Sequence, residues 1–293
     1  MNKVMLSITK ILAFLPDKIY IQLYYFAKFK HLCNFKDPKT FNEKLQWLKL
    51  YDRNPEYTIL VDKYKVREYI AQTIGEEYLI PMIGVWDDPE QIDFNGLPNQ
   101  FVLKCNHNSQ IGLCVCKDKR TLDIPKVKEA LRKGLKQNYY LVSREWPYKD
   151  VPRKIVCEKY MEDAEKPGSP LVDYKFFCFE GKPVLLFITR ELAEEPYADV
   201  YDMEYHRLDI SMGDPPSEEG FPKPKHFEEM KRLAAILASG HHHIRVDFYE
   251  INDRVYFGEL TLFHCGGFSK IYPNWANRYL GDLIILDKEQ ISV

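Results

Sequence analysis

Residues 244–262 read IRVDFYEINDRVYFGELTL, two apolar-rich runs joined through Asn252-Asp253, and the hairpin they form constrains this chain more than any other stretch. Side chains alternate along a strand, so a one-residue slip in pairing turns a whole buried set to the wrong face. Asp247 and Glu259 therefore share a face only if the loop holds an odd number of residues or a bulge intervenes. A three-residue loop at 252–254 pairs them directly. It puts Arg245, Asp247, Glu259 and Thr261 on one face and turns Val246, Phe248, Leu260 and Leu262 into a core. A two-residue turn at Asn252-Asp253 would split the acids.

Two carboxylates side by side, flanked by apolar residues on both strands, are costly unless a cation lies there. Hard oxygen donors on adjacent strands suit Mg²⁺, which typically completes its shell with substrate phosphates. Asp247 and Glu259 are thus the expected metal ligands.

The 293 residues suit two packed subdomains or one large domain. A net charge of -2 supplies no broad basic field, so no nucleic-acid partner is implied. The seven cysteines are scattered, several among Val, Leu, Ile and Phe, which points to free thiols in a reducing cytoplasm. Cys114-Val115-Cys116 lacks a second ligand pair, and adjacent residues of His241-His242-His243 point to opposite faces of an extended chain, so zinc is a minor reading. Residues 1–75 read as mostly helical, with Thr40 as an N-cap and Glu43 as its capping-box partner. Val4, Met5, Ile8, Ile11, Leu12 and Leu15 repeat at helical spacing without a bilayer-spanning run. This predicts a helix packed on the body. The alternative, continued by residues 20–29, is a helix lying in the membrane plane at the inner face. Farther on, FVLKCNH and KIVCEKYM read as strands, 123–142 as a helix, 171–190 as a hairpin turning at Glu180-Gly181-Lys182, and 225–240 as a helix. The proline- and acid-rich residues 191–224 read as an irregular excursion. The order predicts an α+β architecture with antiparallel sheets.

Other charged residues sit where chemistry could use them. Lys104 lies within a buried strand that leads into Asn106-His107-Asn108-Ser109-Gln110-Ile111-Gly112, a loop rich in donors for phosphate. Asp173-Tyr174-Lys175 opens another buried strand, and Arg190 closes its partner, giving cations suited to a transferring phosphoryl group.

These motifs together resemble the ATP-grasp superfamily. The combination of PKTFNEKLQWLKLYD, VDKYKVREYI, VLKCNH, DYKFFCFEGKP and RVDFYEINDRVYFGELTL is similar to its TupA-like family, linked to teichuronopeptide, capsule and other surface-polysaccharide synthesis in bacteria. The resemblance runs from about residue 35 to about 285. It implies an ATP-grasp fold in which two antiparallel-sheet subdomains clamp ATP. The expected division is a helical N-terminal region (1–96), a small subdomain (97–156) and a large subdomain bearing the metal site (157–293). It also implies that Lys104 and Lys63 contact phosphates, with His107 and Ser109 in the covering loop, and that Glu158 and Tyr160 border the nucleoside. Lys175 and Arg190 would face the γ-phosphate or acyl phosphate. Asp247 and Glu259 would hold Mg²⁺ with Arg245 beside them, and Thr261 takes the third ligand's place, where the family usually has Asn. The loop also departs, reading Asn108-Ser109-Gln110 where glycines are usual.

The implied reaction is ATP-dependent formation of an amide between a carboxylate, of a uronic acid or an amino acid, and an amine, with an amino acid and a sugar or uronic-acid acceptor as partners, at the cytoplasmic side. A glycosyltransferase is the rival, against which no Asp-x-Asp occurs in the chain. A nucleotide-binding module without catalysis is a third reading, motivated by Thr261 and the altered loop.

Overall fold

A computed structural model describes residues 12–190 and 196–287. Most of the first expected helix, Val4 to Ile11, lies outside the described residues. Helix α1 (Asp17–Phe29) follows Pro16 and ends at Lys30, whose φ of 67° stops the helix in the left-handed conformation. Its inner face buries Tyr20, Ile21 and Tyr25, and it packs with Cys33, Phe35 and Phe268. Helix α2 (Phe41–Tyr51) starts as the sequence predicts. The Thr40 hydroxyl accepts from the Glu43 amide at 3.3 Å while the Glu43 carboxylate accepts from the Thr40 amide at 3.0 Å, a cap worth about 1 kcal/mol. Short helices α3 (Tyr57–Leu60) and α4 (Val66–Thr73) follow.

The first sheet contains β1 (Met82–Trp86), β2 (Phe101–Cys105), β3 (Cys114–Cys116) and β4 (Ile155–Lys159) in the order β1-β4-β2-β3, all antiparallel. Strand β1 coincides with Ile83–Trp86, which the sequence reads as a short extended piece within the N-terminal region (1–96), and β4 runs across the expected boundary at 156/157. Asn106, fully buried, fastens this sheet to the helical region. Its amide donates to Asp62 Oδ1 at 2.7 Å and to the Pro152 carbonyl at 2.8 Å, while its Oδ1 accepts from the Lys154 amide.

The helix expected over 123–142 breaks into α5 (Ile124–Lys136) and α6 (Tyr140–Ser143). The physical reason lies in the carbonyls at the end of α5, which are taken by tertiary donors. Asn108 Nδ2 donates to the Gly134 carbonyl at 3.1 Å, and Arg153 donates to that of Leu135 at 2.9 Å.

The second sheet, again antiparallel, has the order β10 (Val255–Thr261), β9 (His243–Glu250), β5 (Asp173–Phe179), β6 (Lys182–Thr189), β7 (Ala198–Tyr201) and β8 (Arg207–Leu208). Strands β5 (Asp173–Phe179) and β6 (Lys182–Thr189) join through Glu180 and Gly181, both with positive φ, as a tight hairpin requires. The 191–224 region is less irregular than its prolines imply, since it adds β7 (Ala198–Tyr201) and β8 (Arg207–Leu208) to the sheet edge. An acid can be buried in this edge because Asp199 is paired with Arg207 Nη2 at 2.6 Å. Helix α7 (Phe227–Leu237) packs across β5, β6 and β9 with Phe227, Met230, Leu233, Ala234 and Leu237 buried. Helix α8 (Asn274–Asp282) packs on α2.

Strands β9 (His243–Glu250) and β10 (Val255–Thr261) pair Asp247 with Glu259 and Arg245 with Thr261. The route differs from the expected three-residue loop. The connection has four residues, 251–254, with Asn252 and Asp253 at φ 51° and 60°, and the register shifts by one between Phe257 and Glu259. Gly258 forms that bulge, where a Cβ would meet the Asp247 carbonyl oxygen at 3.1 Å. The bulge restores the parity that an even loop removes.

Candidate active site

The bulged hairpin carries Asp247 and Glu259 into a cleft of about 780 Å³ between the two sheets. Lys63, Lys104 and Glu158 line it from one side, and Lys175, Asp247 and Glu259 from the other. Ser109 and Tyr160 also border it.

On the hairpin side, charge is densely paired. Arg245 donates from Nε to Asp247 Oδ1 at 2.8 Å and from Nη2 to Oδ2 at 2.6 Å, and the same Nη2 reaches Glu259 Oε1 at 2.8 Å. Its Nη1 lies 2.8 Å from His264 Nδ1, so that nitrogen is the acceptor and the imidazole is neutral. Burial, reinforced by Arg245 and Lys175, holds His264 well below the usual histidine range. Burial works against the Arg245 charge as well, but Asp247 and Glu259 outweigh it and raise its pKa. Burial pushes the Asp247 carboxyl up against the opposing pull of Arg245 and Lys175. Glu259 behaves differently. Burial raises it too, yet Lys63, Arg245, Lys175 and the Thr261 hydroxyl together hold it at about 2. Lys175, 3 % exposed, pairs in register with Asp247 across β5 and β9, and its Nζ stands 4.0 Å from Asp173 Oδ2.

The cation that two adjacent carboxylates require is therefore part of the protein. Arg245 sits between Asp247 and Glu259, so the cost of burying those acids is not by itself a reason for a metal. The chemistry of the donors still suits a hard cation. Both acids face the cleft, and Glu259 Oε2 stands 3.8 Å from Lys63 Nζ. Among the described residues no group of three or more His, Cys, Asp or Glu could hold a metal. Two carboxylates would be the protein's share of a Mg²⁺ shell, with phosphates and water supplying the remainder. The Thr261 hydroxyl donates to Glu259 Oε1 at 3.0 Å, which orients that acid.

On the opposite side Lys104 and Glu158 are partners, with Nζ 2.6 Å from Oε2, and Arg67 Nη1 approaches Glu158 Oε1 at 3.2 Å. Arg67 stands on α4 within the VDKYKVREYI motif, four residues after Lys63, which lies in the turn before that helix, and it is the remote Glu158 that brings it to the cleft. Lys63 ties the two sides together. Its Nζ donates to the Asn108 carbonyl at 3.0 Å and also faces Glu259.

Four expected residues are not in the cleft wall: Arg245 and Thr261, which bond to its acids, and His107 and Arg190. His107 turns inward, 1 % exposed, with Nε2 3.1 Å from the Gln137 carbonyl, and burial lowers its pKa to about 4. It braces the loop from behind because residues 106–108 all turn their side chains into the body. Arg190 lies one residue beyond β6 and is not in the cleft wall, and its Nε is buried without a hydrogen-bond partner among the described residues. The histidine run is structural: His243 Nδ1 donates to the Cys178 carbonyl at 2.9 Å, and His242 faces Glu180. All seven cysteines are free. Among the described residues no helix is long and apolar enough to cross a membrane.

The sequence profile of a family described as TupA-like ATPgrasp matches residues 43–285. No curated protein matches the chain. Among solved structures it is similar to D-alanine–D-alanine ligase from Helicobacter pylori, at 13 % identity and TM-score 0.45 over 83 % of this chain and 69 % of that one. It is also similar to the Bacillus anthracis D-alanine–D-alanine ligase complexed with ATP, at 18 % identity and TM-score 0.41, over 70 % and 55 %. A third likeness is the ATP-grasp ligase PsnB complexed with a phosphomimetic variant of its minimal precursor, Mg and ADP, at 10 % identity and TM-score 0.40, over 75 % and 57 %. The chain spans little more than half the length of the latter two.

Proposed function

This chain belongs to the TupA-like ATP-grasp family and has the ATP-grasp fold, and on that premise we propose that it is a Mg-ATP-dependent carboxylate–amine ligase of bacterial surface-polysaccharide synthesis. The carboxylate would be that of a uronic acid or an amino acid, and the amine that of an amino acid or a sugar. The observation that carries this reading is the pair Asp247 and Glu259, held by Arg245 at 2.6–2.8 Å, in the wall of a cleft that Lys63 and Lys104 also line. A site that gathers fixed cations around a cleft edged by two acids suits phosphoryl transfer, where catalysis is mostly positioning and charge stabilisation.

In the proposed reaction the substrate carboxylate attacks the γ-phosphorus of ATP, forming an acyl phosphate and releasing ADP. The amine then attacks the acyl carbon and expels phosphate. Lys104 and Lys63 would bind the phosphates, and Lys63 fixes the 106–112 loop through the Asn108 carbonyl. Tyr160 and Glu158 would border the nucleoside, with Arg67 steadying Glu158. Lys175 and Arg245 would stabilise charge on the transferring phosphoryl group. Asp247 and Glu259 would hold Mg²⁺, which when bound neutralises phosphate charge. The cleft would also exclude water from the acyl phosphate. In this scheme residues 1–96 would face the acceptor, and residues 97–156 and 157–293 would be the two clamping subdomains.

The test is ADP release with Mg²⁺ across a panel of amino acids and uronic-acid-containing acceptors. Release that requires both a carboxylate and an amine supports the ligase. Turnover of nucleotide sugars without ADP release, or tight ATP binding with neither activity, overturns it.

A further inference from the structure

We propose that the outer face of helix α1 docks on an anionic lipid surface. The inner face of this helix is fully used. Tyr20, Ile21 and Tyr25 are buried, Tyr24 stacks on Phe268 at 4.1 Å, and the Tyr20 hydroxyl donates to the Val142 carbonyl at 3.0 Å. The helix is thereby fixed to the body beside the segment that follows β10. Its outer face is apolar and uncovered. Ile19, Leu23 and Phe26 are about half exposed, at 50, 51 and 51 %, and their i, i+4, i+7 spacing makes one stripe. Phe14 and Leu32, 80 and 64 % exposed, extend it beyond the two helix ends.

Charge identifies the partner. Lys18, Lys28, Lys30 and Lys36 are all exposed around this helix, and Asp17, the acid at its start, is turned to the Tyr140 hydroxyl. Residues 1–36 hold six lysines and one aspartate, a formal +5 in a chain of net -2, so residues 37–293 carry -7. An apolar stripe with basic residues about it, on a protein otherwise acidic, is complementary to acyl chains beneath anionic headgroups. The other exposed aromatic pair, Trp275 and Tyr279 on α8, lies among the mixed charges Arg278 and Asp282 and lacks that complement. The docking would be in-plane and peripheral, and it stands apart from the reaction proposed above.

Cosedimentation of the full chain with vesicles of phosphatidylglycerol and phosphatidylcholine, compared with phosphatidylcholine alone, tests it. The expected result is binding to the anionic vesicles only. Leu23→Glu/Phe26→Glu, which replaces exposed side chains, should weaken binding by about tenfold or more while thermal unfolding is unchanged. Lys18→Glu/Lys30→Glu should also weaken it about tenfold or more. Sodium chloride at high concentration should release the wild type from the vesicles. Equal binding to neutral vesicles overturns the proposal, as does no binding to either kind. So does a wild-type dimer in sedimentation equilibrium that the Leu23/Phe26 variant abolishes, because a second copy would then occupy the stripe.

Discussion

The two sides of the cleft solve the problem of holding charge in opposite ways. On the hairpin side, Arg245 and Asp247 are 8 and 3 % exposed and locked by two parallel hydrogen bonds. On the other, Lys104 and Lys63 are 24 and 21 % exposed, and their partners are one carboxylate apiece and a backbone carbonyl. A buried bidentate pair has one geometry, set before substrate arrives. A partly exposed lysine on a flexible stem has many, and Lys104 can exchange Glu158 for a phosphate because Arg67 still pairs with that acid. The hairpin is thus the preorganised chemical end, and the Lys104 wall is the adjustable binding end.

The largest effect should follow from breaking the fixed end. Arg245→Met leaves Asp247 buried beside Glu259 and should lower unfolding free energy by about 3–5 kcal/mol. It should also lower ligase kcat by about a thousandfold. Arg245→Met/Asp247→Asn removes the orphaned charge, so denaturant unfolding should show much of the stability restored while ADP release stays at the level of the single variant. If the double variant is as unstable as the single one, the pair is not the source of the rigidity.

A smaller effect is expected on the adjustable side. Lys104→Met should raise KM for ATP by about tenfold to a hundredfold, with kcat within about threefold and stability within about 1 kcal/mol, because Arg67 still pairs with the buried Glu158. Steady-state kinetics with ATP varied checks this. A kcat loss matching that of Arg245→Met, at unchanged KM, would erase the contrast between the two sides.

The same contrast explains what was legible in the sequence. Period-two alternation alone puts Arg245 with Asp247 on one strand and Glu259 with Thr261 on the other, and bringing the two pairs to one face needs the register of the hairpin. The loop length is not carried in that way, because a four-residue connection plus a bulge at Gly258 gives the same parity as a three-residue loop. Alternation also says which residues share a face without saying which of them pair. Arg245 was visible, but its role as the cation between the acids depends on side-chain reach. His107 and Arg67 fail for a tertiary reason. The inward turn of 106–108 is set by Gly134, Gln137 and Pro152, which lie far along the chain. Arg67 faces the cleft through Glu158, which is more remote still. The edge strands β7 and β8 are short and take their pairing from neighbours that local patterning does not encode.

Thr261 sits on the fixed side yet is less buried than Arg245 and Asp247, and it gives the finest test. Its hydroxyl donates to Glu259 Oε1, the oxygen that Arg245 also holds. Thr261→Val keeps the shape and removes that donor, and kcat at neutral pH should fall by about threefold to tenfold, the scale of one hydrogen bond to a partly solvated carboxylate. The pH dependence of stability gives the sign independently. Glu259 is held at about 2 in the folded chain against an ordinary 4.5, so its ionised form stabilises the fold above about 4.5, and that contribution is lost as pH falls toward 2. Without the Thr261 donor the folded value moves back toward 4.5, and the acid-side loss of thermal stability should begin at higher pH than in the wild type. The comparison is made with metal chelated and nucleotide absent, so that only protein groups titrate. An acid profile identical in the two proteins would mean that Lys63, Arg245 and Lys175 hold Glu259 unaided, and that the hydroxyl adds nothing to the rigidity of the hairpin side.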